Sequence, residues 1–439
     1  MKKIFIQHNG CLNLSYDFNI VKFGFKKSGY QIVDNPKDAD EIIFAGCGVR
    51  SFWVKDAINQ VNSHISGDHN KKVIITGCIS NIETTKIKHE IKSQKIDFLD
   101  FKELIKNYTD KTFETFEKTT RQTEKTDFEG DSPLRKKISK KQYEILLYLN
   151  KIDRKYNINI SKEYKKTTKG FFFYNEDEAT ELITVTRGCL YKCAYCTIPK
   201  GRGDYNSVPI QTIKNKVKEA VKNKIFKIIL IGDEIGNYGI DLKERLSFKT
   251  LISEILSINK KIKISIRYIE PTPFYKNFEY IKELCNENRI YLMHIPLQTG
   301  SQNLLKEMKR NYNLKSIIPA YKKIINSTDT ALYCNWMIGY PGETEYDFLQ
   351  TVELAKELKI HLNTVIPFSA RPDTEAYNRK DKISIEIIND RTERLEKTLF
   401  DIKVDYIIGK LNSVSFEEKK QIKRLLIEEF EENKLKELR

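Results

Sequence analysis

From residue 181 onward, short apolar segments alternate with helical segments six times. The apolar segments have the length and composition of buried strands, and the segments between them repeat apolar residues with a helical period. The predicted strands are 182–186, 228–232, 262–269, 291–298, 332–339 and 363–369, with helices such as 210–221, 251–258 and 346–358 between them. This alternation predicts a parallel sheet curved into a partial barrel, with its functional face at the carboxyl ends of the strands.

Three cysteines follow the first of these strands with the spacing C-x3-C-x2-C: Cys189, Cys193 and Cys196. A zinc site normally uses four ligands. Three thiolates can instead hold three corners of a 4Fe–4S cluster and leave one iron open to a substrate. A zinc loop, or three cysteines that merely lie close together, is the alternative. The preceding strand and the βα repeat that follows favour the cluster.

A second group of three cysteines lies near the start of the chain. Strands are predicted at 3–7, Glu41–Ala45 and Lys72–Thr76, with helical patterns at 18–27 and 54–61 between them. Each strand is followed by a Gly–Cys pair, which contains Cys11, Cys47 or Cys78. Because parallel strands end at one edge of a sheet, we expect these cysteines to converge there. Three isolated buried cysteines are the alternative. The equivalent positions, each beside a glycine, favour a second cluster.

Composition limits the class of protein. No apolar run approaches the roughly 20 residues that span a bilayer, and the polar start of the chain does not resemble a signal peptide. We therefore expect a cytoplasmic protein without a membrane partner, in which the eight cysteines are metal ligands more than disulfides. The net charge of +16 suits an RNA partner, although an AT-rich gene would also enrich lysine.

The remaining segments carry no predicted chemistry. Residues 101–180 are rich in charge and contain one predicted helix at 140–150. From 415 to 438 apolar residues recur at helical spacing, which predicts an amphipathic helix that packs on the barrel. The expected domains are therefore 1–100, a linker or helical insert at 101–180, the barrel at 181–376 and a helical tail at 377–439.

The residues around the cysteines make the pattern more specific, and with them the chain resembles the radical S-adenosylmethionine methylthiotransferases. These enzymes insert a methylthio group into an unactivated C–H bond. The matching runs include Asn9-Gly10-Cys11, Gly46-Cys47, Gly77-Cys78, 187–203, 232–239, 296–301, 308–310, 339–344 and 369–372. The sequence departs from the family pattern at Leu14, where an asparagine is usual (here Asn13), and at Asn335, where an aspartate is usual. The family's small C-terminal β-barrel is also not predicted.

The resemblance implies an α/β fold, with a small Rossmann-like N-terminal domain, a partial (β/α)6 radical S-adenosylmethionine barrel and a helical tail. It implies two 4Fe–4S clusters, one on Cys189, Cys193 and Cys196 and an auxiliary one on Cys11, Cys47 and Cys78. The first would bind and reduce S-adenosylmethionine to give a 5′-deoxyadenosyl radical that abstracts hydrogen from the acceptor. The second would keep one iron free to carry the sulfur, and a second S-adenosylmethionine would supply the methyl group.

Contacts to S-adenosylmethionine are expected from residues that match the family's runs. Tyr195 would pack the adenine, Glu234 would accept from the ammonium, and Arg267 and Arg310 would bind the carboxylate. The remaining contacts would come from Gln298 and Thr299 to the ribose and from the backbone at Gly339. Tyr195 could instead be a core aromatic and Glu234 a turn carboxylate. Cys285, Cys334 and His294 are predicted to be core residues.

The acceptor is less well defined than the chemistry. The missing β-barrel slightly favours a polypeptide side chain, whereas the positive charge favours a modified adenosine beside a tRNA anticodon. A lysine-rich stretch at 118–141 could bind phosphate. A non-catalytic Fe–S scaffold is the alternative of another class. The expected electron donor is a low-potential protein such as flavodoxin or ferredoxin.

The two cysteine groups should be separable by mutation, and the intact chain should bind about eight irons in two cubanes. Cys193→Ala removes a ligand of the first cluster, so 5′-deoxyadenosine and methylthiolated product should both disappear. Cys47→Ala should still cleave S-adenosylmethionine but form no product, because no iron would hold the sulfur. Chromatography of both products measures this. Full methylthiolation by the Cys47 variant would contradict a sulfur-carrying role for the N-terminal group.

Overall fold

The computed structural model describes residues 2–119, 139–168 and 180–437, and the strands in them form two parallel sheets. The N-terminal sheet has five strands in the order β2-β1-β3-β4-β5. Its strands are β1 (Lys3–His8), β2 (Gln31–Val33), β3 (Glu41–Ala45), β4 (Lys72–Thr76) and β5 (Lys95–Phe98). The three predicted strands form its centre. The two unpredicted strands, β2 and β5, are short edge strands that bury little apolar surface and so leave a weak sequence pattern.

The second sheet has six parallel strands in the order β13-β12-β11-β10-β9-β6, which confirms the predicted βα repeat and the α/β fold class. Its strands are β6 (Thr180–Thr184), β9 (Lys227–Ile231), β10 (Lys263–Arg267), β11 (Ile290–His294), β12 (Ala331–Ile338) and β13 (Leu362–Pro367). A small antiparallel pair, β7 (Thr186–Arg187) and β8 (Asn206–Ser207), brackets the cysteine loop that follows β6.

Helices connect the strands throughout. Those before the second sheet are α1 (Leu12–Lys27), α2 (Ser51–His64), α3 (Thr84–Glu90), α4 (Phe101–Tyr108), α5 (Phe113–Thr119), α6 (Lys140–Tyr156) and α7 (Ile160–Lys166). Those within and after it are α8 (Ile198–Arg202), α9 (Ile210–Lys222), α10 (Phe248–Leu256), α11 (Pro271–Lys276), α12 (Phe278–Asn286), α13 (Gln302–Glu307), α14 (Leu314–Ser327), α15 (Glu345–Leu358), α16 (Ile385–Gly409) and α17 (Phe416–Glu437). No helix in these ranges is both long and apolar enough to cross a bilayer.

The two sheets share one apolar core. Ile4 and Ile6 of β1 and Phe18 of α1 belong to the same buried cluster as Ile229 and Ile231 of β9. The alternate residues Ile228 and Leu230 pack with α9 and α10 instead. The N-terminal sheet therefore packs on the opposite face of the second sheet, the face that carries Arg267, close to the strand that precedes the cysteine loop. Burial of this shared surface stabilises a fixed arrangement of the two sheets.

The segment at 101–180 divides between two parts of the fold. Its first helices, α4 and α5, join the N-terminal core through buried residues such as Leu104 and Phe116. Its later helices, α6 and α7, instead form a separate helical core with the end of α16 and with α17. We call α6, α7, α17 and the end of α16 the helical unit. Its buried residues include Leu149, Ile407 and Leu426.

The amphipathic tail helix is confirmed as α17, but its predicted packing on the barrel is wrong. The buried residues of α17 lie in the helical unit, against α6 and α16. The reason is that α16, which runs for 25 residues, begins beside the barrel and extends beyond it. Its distal half thereby offers an apolar face on which α6 and α17 close.

Leu149→Ala should destabilise the helical unit by about 2–5 kcal/mol, because Leu149 is fully buried in its core. Leu147→Ala is the matched control on the same helix, since the Leu147 side chain is 47% exposed, and it should change stability by less than about 0.5 kcal/mol. Urea unfolding followed by circular dichroism measures both. Equal effects of the two substitutions would show that the helical unit does not pack as described.

Candidate active site

The carboxyl ends of both sheets open into one cavity of about 370 Å³. Five of the six predicted cluster cysteines line it: Cys11, Cys47, Cys189, Cys193 and Cys196. The sixth, Cys78, is buried next to this lining. The structure therefore brings both predicted cysteine groups to a single site. The sequence does not predict this, because the groups lie more than 100 residues apart along the chain.

Glycine and backbone hydrogen bonds shape the N-terminal cysteine group. Gly10 has a φ of +112°, and a Cβ at this position would overlap the Cβ of Cys47. The amide of Cys47 donates to the side-chain oxygen of Asn9 at 3.2 Å. A Cβ on Gly48 would lie 3.0 Å from the carbonyl oxygen of Cys78. Only glycine permits this close approach of the three loops.

The second cysteine group lies in the loop between β6 and α8. The amide of Ala194 donates to the carbonyl of Met308 at 3.0 Å, and the amide of Cys196 donates to the carbonyl of Cys193 at 3.0 Å. The amide of Ile198 donates to the Cys196 sulfur at 3.4 Å. Such N–H groups that point at sulfur favour its thiolate form.

The two groups meet through α8. A Cβ on Gly201 would lie 3.1 Å from the Cβ of Cys78 and 3.2 Å from its carbonyl oxygen. The helix that follows Cys196 thus packs directly on the turn that holds Cys78. The segments that carry the two cysteine groups are therefore in van der Waals contact.

Burial governs the protonation of these thiols. Burial raises the pKa of Cys47 and of Cys196 to about 12, and it raises the pKa of Cys189, Cys193 and Cys78 as well. Buried thiolates are costly unless a metal neutralises them, and iron supplies that charge. Within the described ranges no three His, Cys, Asp or Glu side chains form a site for a single metal ion. In a cubane each cysteine binds a different iron, so such close convergence is not required.

A buried ion pair between Arg310 and Glu270 lies next to the second cysteine group. Arg310 donates to Glu270 at 2.7 Å, to the carbonyl of Pro296 at 3.1 Å and to the Tyr195 hydroxyl at 3.1 Å. The same guanidinium lies 3.9 Å from the sulfur of Cys193. Burial alone would lower the pKa of Arg310, but Glu270 together with Tyr195, Tyr312 and Cys193 outweighs burial, and the pKa lies above its ordinary value. Arg310 therefore places a permanent positive charge beside Cys193.

Aromatic and cationic side chains form the wall between the cysteine groups. His294 lies between Tyr268 and Tyr333, with ring centroids 4.9 and 4.4 Å away. Burial lowers the pKa of His294 well below its ordinary value, and the charge of Arg267 lowers it further. Burial also lowers the pKa of Arg267 to about 10, so Arg267 is protonated at neutral pH. The wall therefore combines a neutral imidazole with one buried cation.

Comparison with known proteins agrees with this geometry. The model of the "Radical SAM superfamily" matches residues 183–355, and that of the "Uncharacterized protein family UPF0004" matches residues 3–98. A tRNA-2-methylthio-N(6)-dimethylallyladenosine synthase of Sulfurovum sp. is 25% identical, over 96% of this chain and 90% of the relative. A ribosomal protein uS12 methylthiotransferase RimO of Thermosipho melanesiensis is 24% identical, over 94% of this chain and 87% of the relative.

The chain carries a radical S-adenosylmethionine domain and a UPF0004 domain, and enzymes named as methylthiotransferases are similar to it over most of its length. A solved structure of the radical S-adenosylmethionine methyltransferase TsrM from Kitasatospora setae shares the fold. Its TM-score is 0.54 at 11% identity, and the match covers 86% of this chain and 74% of that one. A structure of the cobalamin-dependent radical enzyme OxsB gives a TM-score of 0.55 at 10% identity, over 96% of this chain and 70% of that one.

Methylthiotransferases of this kind use S-adenosylmethionine and two 4Fe–4S clusters, which supply the radical, the sulfur and the methyl group. We propose that Cys189, Cys193 and Cys196 hold one cluster and that the N-terminal cysteines hold the other. The chain's own residues orient these ligands through Arg310 and the N–H groups around them. The buried apolar surroundings exclude water, which protects reactive species and strengthens every local charge.

Four of the predicted S-adenosylmethionine contacts line the cavity: Tyr195, Arg267, Gln298 and Arg310. Gln298 has a φ of +66°, and its Oε1 atom has no hydrogen-bond partner among the described residues. A buried amide in an uncommon backbone conformation at a cavity is a sign of ligand binding. These observations fit a polar ligand such as S-adenosylmethionine, and the individual contacts remain proposals.

The other three predicted contacts do not line the cavity. The carboxylate of Glu234 accepts from the amides of Gly236 and Asn237 at 2.6 and 3.0 Å, as a turn carboxylate does. The hydroxyl of Thr299 is hydrogen-bonded to Thr351 at 3.0 Å. The amide of Gly339 donates to Glu343 at 2.9 Å. Each group is already satisfied within the fold, so its role toward S-adenosylmethionine stays a prediction.

Several lining residues were not predicted or were assigned elsewhere. His294, predicted as a core residue, is buried but lines the cavity. Asp233 and Glu270 follow β9 and β10, where the rule that functional groups collect beyond strand ends would have found them. Arg50 ends the run 45–50, which matches the family around Cys47, but no role was predicted for it. Trp53 comes from the start of α2, and nothing in the sequence marks it. Cys285 and Cys334 are buried core residues, as expected.

The departure at Leu14 has a structural explanation. Leu14 is fully buried and would contact a Cβ added at Gly10 or Gly77, so it fills the space under the glycine turns. The neighbouring Asn13 lines the cavity and donates to Asp233 at 3.0 Å. The amide is therefore retained at the site, one position earlier in the chain.

Gly10→Ala should remove the N-terminal cluster and leave the other, because the added Cβ would overlap Cys47 as well as strain the backbone. Iron per chain should fall from about eight to about four. Gly29→Ala is the matched control, since Gly29 also has a positive φ, +88°, but has open space around its Cβ position. Iron analysis after anaerobic reconstitution measures both. An unchanged iron content in the Gly10 variant would contradict the assignment of the N-terminal site.

Proposed function

We propose that this methylthiotransferase modifies RNA and that its acceptor is a modified adenosine of tRNA. The observation that carries the proposal is the wall of the cavity beside Cys47, where Arg50, Phe52 and Trp53 follow one another closely. Phe52 is 64% exposed, its ring centroid is 5.1 Å from that of Trp53, and Trp53 and Arg50 line the cavity. An exposed ring and a partly buried ring beside a cation suit a stacked base and its phosphate.

The size and position of the cavity also fit a nucleoside. A base can reach an enclosed site only after it leaves the helical stack, which is easiest in a single-stranded loop. Asn335 lines the cavity, and an amide can donate to and accept from the edge of an adenine. The departure from the family aspartate at this position therefore supplies a neutral group that suits a neutral base.

The comparisons and the charge support the same acceptor. The relatives from Sulfurovum sp. and Clostridium tetani, 25% and 27% identical, are both named for synthesis of tRNA 2-methylthio-N(6)-dimethylallyladenosine. The net charge of +16 favours a polyanionic partner. Most of the lysine-rich stretch at 118–141 lies outside the described residues, so the proposal rests on Arg50 and its neighbours.

A polypeptide side chain, which the sequence slightly favours, is the second candidate. The similarity to a ribosomal protein uS12 methylthiotransferase supports it. So does the C-terminal region, because in the part of the chain that the structure describes no strand follows β13. Helices α16 and α17 occupy that region instead. Arg50 beside the aromatic rings at the cavity favours RNA over this candidate.

The acceptor can be identified in a bacterial host that lacks its own methylthiotransferases. Expression of this chain should add a methylthio group to an adenosine in digested tRNA, and Cys193→Ala should abolish that group. Mass spectrometry of nucleosides and of ribosomal proteins from the same cells measures both candidates. A methylthiolated ribosomal protein together with unmodified tRNA would replace the RNA proposal by the polypeptide one.

Binding of unmodified tRNA should separate charge from stacking at the cavity entrance. Arg50→Ala should lower the affinity and reduce the slope of log K against log salt by about 1, because one phosphate contact is lost. Phe52→Ala should weaken the binding free energy for tRNA by about 1–3 kcal/mol without changing that slope, because stacking does not release counterions. Lys260→Ala is the control: this exposed lysine precedes β10 and lies at the opposite end of the sheet. Equal salt slopes for all four proteins would contradict a phosphate contact at Arg50.

A further inference from the structure

One buried carboxylate joins segments from both cysteine groups. Asp233 follows β9 at the carboxyl edge of the second sheet, lines the cavity and is 8% exposed. Its Oδ1 atom accepts from the side-chain amide of Asn13 at 3.0 Å. Its Oδ2 atom accepts from the amide of Gly188 at 2.8 Å and from Nε of Arg202 at 3.0 Å.

The three donors come from the segments that carry the cysteines. Asn13 is two residues after Cys11, and Gly188 immediately precedes Cys189. Arg202 lies at the end of α8, next to Gly201, which packs on Cys78. Through these three donors, Asp233 is hydrogen-bonded to the start of the second cysteine loop, to the end of α8 and to the segment that follows Cys11.

We propose that Asp233 is a positioning residue that sets the distance and orientation between the two cysteine groups. The proposal concerns the transfer chemistry and goes beyond the choice of acceptor, so it does not depend on whether that acceptor is RNA. Groups that react across a cavity must be held within a fraction of an ångström. A displacement of about 1 Å can reduce the rate by about 100-fold.

The chemistry of a carboxylate suits this role better than that of an amide. An ionised aspartate only accepts, and its two oxygens can take all three donors at once. An asparagine would have one accepting oxygen, and its NH2 group would face a donor. The negative charge also balances Arg202, which is paired with Asp17 at 2.8 Å on its other side. Loss of Asp233 would thus release both loops and leave Arg202 drawn toward α1.

The rest of the interface would hold the two sheets together without Asp233. Arg371 donates to the carbonyl of Gly48 at 3.1 Å and to Glu83 at 2.7 Å, and Ser51 is hydrogen-bonded to Ser369 at 2.9 Å. Glu117 accepts from Arg187 at 2.8 Å. Substitution of Asp233 should therefore change the relative position of the cysteine groups more than it changes the fold.

The experiment compares Asp233→Ala, Asp233→Asn and Asn13→Ala with the full-length wild type, all reconstituted without oxygen. Glu117→Gln is the matched control, because Glu117 is a buried carboxylate at the same interface that contacts neither Asn13 nor Gly188.

Iron content and thermal unfolding report cluster loading and folding. Electron paramagnetic resonance of the dithionite-reduced proteins reports the spin–spin interaction between the clusters, which falls with the cube of their separation. The rate of 5′-deoxyadenosine formation reports the first cluster alone.

We expect the wild type and Glu117→Gln to share the same interaction-broadened spectrum. Asp233→Ala should weaken that broadening measurably while it still binds both clusters and still forms 5′-deoxyadenosine. Asp233→Asn and Asn13→Ala should show a smaller decrease in the broadening. If Asp233→Ala loses iron, these two variants test the proposal in its place. The proposal would be overturned if Asp233→Asn and Asn13→Ala kept the wild-type broadening. It would also be overturned if Glu117→Gln lost as much broadening as the Asp233 variants. Neither result depends on the identity of the acceptor.

Discussion

The active site depends on a chain of buried charges between the two sheets. Arg187, just before the cysteine loop, pairs with Asp17 of α1 at 3.0 Å and with Glu117 of α5 at 2.8 Å. Arg202, after that loop, pairs with Asp17 at 2.8 Å and with Asp233 at 3.0 Å. Buried pairs of this kind add little net stability, but loss of one partner costs about 3–5 kcal/mol because the other charge stays buried. Together they favour one docking geometry. Glu117 alone does not fix it, because Arg187 keeps Asp17 as a buried partner when Glu117 is neutralised.

The same charges favour thiolates in a buried site. Burial would raise the pKa of Asp17, but Arg187 and Arg202 outweigh it, and the pKa lies below its ordinary value. Because the folded pKa is depressed, the stabilisation is present at neutral pH and is lost as the pH falls through that value. Arg202 also opposes the rise that burial produces in the pKa of Cys78. Within these ion pairs, Arg202 thus reduces the cost of a Cys78 thiolate, which we propose as an iron ligand, and Asp233 increases it.

Features that depend on local sequence patterns could be predicted from the sequence. Strand periodicity gave the central strands of both sheets, and the spacing of Cys189, Cys193 and Cys196 gave their chemistry. Contacts between distant segments could not be predicted. Nothing in the sequence shows that Asp233 accepts from Asn13, 220 residues away, or that the Glu234 carboxylate is used by its own turn. Hydrogen bonds to side chains are decided by tertiary packing, so motif matches alone place them poorly.

The helical unit extends this argument to the segments that connect the two sheets. The chain leaves the N-terminal core at α5, enters the helical unit at α6 and returns from α7 to β6. Because α16 begins beside the barrel and ends in the helical unit, α6 and α7 are anchored to the second sheet. Stacking of His361 on Tyr406, with centroids 3.9 Å apart, adds a contact between the end of the barrel and this unit. The N-terminal sheet is thus held to the second sheet by the ion pairs at the cavity and by the shared apolar core, whereas α6 and α7 are held to it through α16.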